Sequence, residues 1–140
     1  MRTASFLLFL VSLGVQSSIH AQEAKDPIEQ TYDACLAGPA ANNTAGQVGC
    51  ATKAAAAWDQ ELNRVYQKLM KTLDPSSQAL LRASQRQWLA FRDAEKKFQA
   101  GPWLQKQGTL AEVTANMANV DILKSRVLTL RNYAGGGNPN

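Results

Sequence analysis

Trp58-Asp59-Gln60-Glu61-Leu62-Asn63-Arg64-Val65-Tyr66 and Gln85-Arg86-Gln87-Trp88-Leu89-Ala90-Phe91-Arg92-Asp93-Ala94-Glu95 decide the fold of this 140-residue chain. In each, large apolar side chains recur at intervals of three and four with polar residues between them, which is the period of an amphipathic helix and not of a strand. Between the two lies Asp74-Pro75, a capping side chain followed by the residue best suited to a first helical turn. The stretches therefore read as the two arms of an antiparallel helical hairpin.

The first arm extends back through the alanine-rich Ala51 to Ala57 to a start near Thr44, and forward to Leu73. Its apolar face is Trp58, Leu62, Val65, Tyr66, Leu69 and Leu73. The second arm carries Leu81, Trp88, Phe91 and Phe98 and stops at Gly101-Pro102. Upstream, Asp26-Pro27-Ile28-Glu29 sets a cap, a first-turn proline and an acidic residue in register for a short helix to about Ala37. Downstream, Thr109 to Glu112 has capping-box spacing ahead of the stripe Leu110, Val113, Met117, Val120, Leu123, Val127 and Leu130. No stretch alternates at period two with β-branched enrichment. The expectation is an all-α bundle of three to four helices with the hairpin at its centre, and the aromatic stripes as core rather than a cofactor box.

The N-terminus speaks to compartment. Met1-Arg2-Thr3 is a short basic start, Ala4 to Val15 is largely apolar, and Ile19-His20-Ala21 ends on a small residue, the anatomy of a secretory signal peptide over 1–21. Its apolar run of about 12 residues is short of the roughly 20 that span a bilayer, so no stable membrane anchor is expected. The first 34 residues hold no cysteine for a lipoprotein anchor. Cleavage after Ala21 would leave 119 residues, one domain over 22–133 and a glycine-rich disordered tail over 134–140. A periplasmic or secreted location follows.

Export also removes His20, the single histidine, and with it any imidazole for a nucleophilic triad or a metal site. Neither Asp59 with Glu61 nor Asp93 with Glu95 can flank a sugar bond, because residues two apart on a helix point to different sides. No glycine pattern cradles a phosphate. No catalytic residue, cofactor or metal is therefore expected, and the chain does not read as an enzyme. The formal charge of +4 falls to +3 without Arg2, too mild and too dispersed to point to nucleic acid.

Cys35 and Cys50 enclose 14 residues and, in an exported chain, are expected to be bridged. Gly38, Pro39, Asn42, Asn43, Gly46 and Gly49 make the enclosed segment a tethered surface loop, read either as an inert connector or as a binding loop that loses little entropy on contact. In the hairpin, antiparallel register sets Asn63 across from Gln85 and Asp59 within a turn of Arg92. These polar residues read as buried tie-points that fix register, or alternatively as the floor of a recognition surface.

Cys35 and Cys50, then Trp58-Asp59 with Leu62-Asn63 and Tyr66, then Gln85-Arg86 with Trp88 and Arg92-Asp93, and late Arg126 with Leu130 together resemble the LprI-type lysozyme-inhibitor family. The resemblance runs from about Tyr32 to Arg131. It implies a small helical bacterial envelope protein, and an activity of binding and inhibiting a lysozyme-like hydrolase rather than of turnover. Two further family cysteines are absent here, one where Lys96 stands and one near Val120 or Asp121, as the loss of a second disulfide would leave. A periplasmic adaptor or structural protein, and an immunity protein against a secreted toxin, are the alternative readings.

Overall fold

The computed structural model describes residues 25–135, and all regular structure in them is helical. The expected leader over 1–21 and the tail residues 136–140 lie outside the described residues. The first helix, α1, is Pro27–Ala37, its first turn closed by Asp26, whose Oδ1 accepts from Ile28 N at 2.9 Å. A 3-10 turn, Pro39–Ala41, leads to α2, Thr44–Thr72, where Asn43 Oδ1 accepts from Gly46 N at 2.9 Å. Asp74 opens α3, Pro75–Gln99, by accepting from Ser76 N and Ser77 N at 2.9 and 3.1 Å. These starts fall where the capping residues place them, because each side-chain oxygen satisfies a backbone donor that the first turn leaves free.

A short α4, Pro102–Gln105, and a turn through Gly108 precede α5, Leu110–Ala134, which Gly135 ends. Gly108 has φ of 62°, a left-handed conformation that glycine adopts without strain. The capping box expected at Thr109 does not form: Thr109 is already helical in its backbone and its side chain caps nothing, whereas a capping residue needs extended geometry to reach back. Among the described residues no helix is long and apolar enough to cross a membrane.

The core is a seam between α2 and α5. Ala51, Ala54, Trp58, Leu62, Val65 and Leu69 of α2 meet Val120, Leu123, Val127 and Leu130 of α5, with Leu81 of α3 closing one side and Ile28 and Tyr32 of α1 the other. Intervals of three and four on both helices let the side chains interdigitate along the seam. Trp58 has no exposed surface.

That arrangement corrects the expected centre of the bundle. The most extensive partner of α2 is α5, and α3 rides outside the pair with Leu81 as its one buried residue. Trp88 is half-buried, while Phe91 and Phe98, read as core, are 52% and 59% exposed. The inward line of α3 runs through Gln78, Leu81, Gln85, Trp88, Arg92, Glu95 and Gln99, all at least partly covered. Phe91 and Phe98 each lie one position before that line, rotated about 100° away from it. A seam this polar holds α3 at the distance of long side chains rather than of packed methyl groups.

Candidate functional site

The gap left between α2 and α3 is a groove of about 370 Å³, and it gathers most of the residues singled out in the sequence. Asp59, Leu62, Asn63 and Tyr66 line it from α2, and Gln85, Arg86, Leu89 and Arg92 from α3, joined by Gln67 and Arg82. Leu62 and the half-buried Tyr66 supply its apolar floor. Trp58 lies in the core instead, and Trp88 on the opposite flank of α3, beside Arg126.

The polar residues pair differently from the antiparallel register. Asn63 donates to its own helix, to Asp59 O at 2.9 Å and Asp59 Oδ2 at 3.5 Å, and does not bond Gln85. Gln85 Oε1 accepts instead from Arg126 Nε of α5 at 3.0 Å. Arg92 does reach Asp59, but at 3.9 Å, and its shorter bond is to Asp93 at 2.9 Å. Asp59 and Asp93 are 50% and 57% exposed in their side chains, and no charged or polar residue among those described is fully buried. The reading of buried tie-points is thereby corrected: Asp59, Asn63 and Asp93 are open to solvent, and Gln85 and Arg92 are only partly covered on the groove wall.

The side chains of Arg82, Arg86 and Gln67 make no hydrogen bond or ion pair among the described residues, and the two arginines sit one helical turn apart on one flank of α3. Across α3, Arg92 and Arg126 bring guanidinium carbons to 5.5 and 5.9 Å from the Trp88 ring. Arg126 bonds only neutral oxygens, Gln85 Oε1 and Ser84 Oγ, and burial pulls its pKa below the usual guanidinium value.

The strongest ion pairs join other residues. Arg131 near the end of α5 donates to Asp26 Oδ2 at 2.5 Å and to Glu61 Oε1 at 2.6 Å, and stands 5.7 Å from the Trp58 ring. Glu61 also accepts from Arg64 at 2.6 and 2.7 Å. Those bonds, Arg64 foremost and Arg131 next, hold the Glu61 carboxyl down at about 2 against burial, which acts the other way. Lys124 adds a bridge to Glu29 of α1 at 2.6 Å. Sequence periodicity misses this network because, Glu61 with Arg64 apart, its partners lie far from one another in the chain; the sole hint is the acidic content of 26–33.

Cys35 and Cys50 are bridged, with Cα atoms 5.7 Å apart. The segment they tether is more built than a loop of breakers. Gly38 ends α1, Asn42 and the capping Asn43 are exposed at the corner, and Gly46 and Gly49 already belong to α2. Gly46 is required there: a Cβ on it would fall 1.5 Å from Ala40 O, whereas one on Gly49 would meet nothing within 4 Å.

Comparison with known proteins places this architecture. A crystal structure of an uncharacterized protein from Burkholderia thailandensis is similar, with a TM-score of 0.71 at 32% identity over 81% of this chain. The present chain spans 58% of that protein's length. No curated protein matches. The family described as lysozyme inhibitor LprI matches residues 35–130, from the first cysteine to the end of the α5 core seam. With both the sequence pattern and the helical architecture in agreement over that span, the chain belongs to the LprI lysozyme-inhibitor family.

Proposed function

We propose that this chain is an exported binding protein that inhibits a lysozyme-like muramidase by stoichiometric occlusion. The observation that carries the reading is the family match over residues 35–130. The disulfide suits an oxidising compartment outside the cytoplasm, in keeping with the leader-like N-terminus. The carboxylates point away from turnover. A glycosidase needs one carboxyl group raised in pKa to act as an acid, and Glu61, the least exposed of the ion-paired carboxylates, is pushed the opposite way to about 2. Asp26 and Glu29 are likewise held in ion pairs.

The occluding element in this reading is the corner from Gly38 to Gly49, where Pro39, Asn42 and Asn43 are exposed on a turn fixed at both ends by helices and by the disulfide. A preformed corner loses little conformational entropy on docking. The test is cell-wall hydrolysis by chicken-type, goose-type and invertebrate-type lysozymes with the purified protein in molar excess. Suppressed hydrolysis of at least one type is expected, and full activity in all three would overturn the proposal.

A second reading has one observation in its favour. Lys53, Arg64, Lys68 and Lys71 are all exposed and fall within about 60° of one another around α2. This basic stripe suits a periplasmic adaptor held at an anionic surface, and sedimentation with anionic vesicles in the absence of any lysozyme would support that role. An immunity protein against a secreted toxin is occlusion with a different target, and differs from host-lysozyme inhibition only in which enzyme is captured.

A further inference from the structure

We infer that the groove between α2 and α3 is a binding site for a carboxylate-bearing, N-acetylated oligosaccharide, the chemistry of a muramyl glycan. Three features converge on that class of ligand. First, Arg82 and Arg86 carry like charges one turn apart on the same wall, an arrangement that repels, and no carboxylate among the described residues lies within bridging distance of either. Arg92, the third guanidinium of the groove, is already answered by Asp93 and Asp59. Arg82 and Arg86 are both exposed to water, so an anionic ligand group can engage them without displacing an existing ion pair, and a guanidinium is the side chain that takes a carboxylate by two parallel bonds.

Second, the floor is partly apolar: the half-buried Tyr66, backed by the buried Leu62 and with Leu89 at the rim, offers a face for the C–H surface of a sugar ring. Third, the walls hold amide groups suited to hydroxyl and N-acetyl substituents. The Gln67 side chain makes no hydrogen bond to the described protein, and the Gln85 side chain spends only its Oε1 on Arg126, leaving its amide N–H groups uncommitted. A volume of about 370 Å³ is that of a small-ligand pocket, and a concave, half-apolar lining with a few convergent polar groups is the usual form of one. The site is separate from the disulfide corner, so glycan binding does not depend on inhibition of any enzyme. It would hold the protein on the polymer that a muramidase attacks.

The experiment is isothermal titration of the purified protein, without enzyme, using a tetrasaccharide of alternating N-acetylglucosamine and N-acetylmuramic acid against chitotetraose. The two share backbone and N-acetyl groups and differ in the lactyl carboxylate. Binding of the muramyl sugar is expected, with chitotetraose roughly ten- to a hundredfold weaker. Arg82→Ala and Arg86→Ala should each weaken the muramyl sugar by about tenfold or more while leaving helicity and the unfolding midpoint unchanged, since neither side chain has an intramolecular partner to lose. Failure of the muramyl sugar to bind, equal affinity for the two sugars, or unaltered affinity in both variants would overturn the site. Arg86→Lys, which keeps the charge but not the fork, should recover only part of the affinity.

Discussion

Two arginines that look alike in sequence differ in what they hold. Arg131 joins Asp26 and Glu61, whose side chains are 16% and 12% exposed, so its removal strands the Asp26 carboxylate with little water to turn to and leaves Glu61 to Arg64 alone. Arg131→Ala should lower stability by about 2 kcal/mol, read as a shift in the urea midpoint. Arg92→Ala should stay within about 1 kcal/mol of the parent, because both its partners are at least half exposed. Glu61 adds a pH dependence. Its folded pKa, about 2, lies below the ordinary 4.5, so the stabilisation is fully present above pH 4.5 and is lost as pH falls through 4.5 toward 2. About 2 kcal/mol should disappear across that window, discounted because Arg64 is solvent-exposed, and Glu61→Gln should flatten it in thermal melts recorded from pH 5 to pH 2.

Helix boundaries were legible because they are written locally. Asp26-Pro27, Asn43 and Asp74-Pro75 each cap within three residues of themselves, and Gly101-Pro102 breaks α3 on its own chemistry. What could not be read was which helices pair. Periodicity marks a face as apolar but does not name its neighbour, and Phe91 and Phe98 fit a helical stripe as well as Leu123 and Val127 do. The decisive difference is that Val120, Leu123, Val127 and Leu130 form an unbroken apolar seam, while the inward line of α3 is interrupted by Gln85, Arg92 and Glu95. The candidate groove was half-legible for the same reason: its residues were found, but as a closed register rather than an open wall. Within α2, two glycines three residues apart should respond oppositely. Gly46→Ala drives a methyl into Ala40 and should cost more than about 2 kcal/mol. Gly49→Ala enters open space in a helix interior and should stabilise by about 0.5–1 kcal/mol, both measured by chemical denaturation.

At the scale of the molecule, α1 is tied to the α2/α5 pair by the disulfide at one end and by Asp26 with Arg131 at the other. Reducing Cys35–Cys50 should therefore lower stability by roughly 3 kcal/mol, seen as a reductant-dependent midpoint. The outlying position of α3 has a different result. A 25-residue helix anchored by one buried leucine shares little of the free energy that holds the rest together. Its amides should exchange with deuterium through a partial opening, hinged at Leu73 to Pro75, that leaves α2 and α5 protected. The protein would then behave as a rigid two-helix spine carrying a hinged arm, and any ligand seated between arm and spine would register first as slowed exchange along residues 75–99.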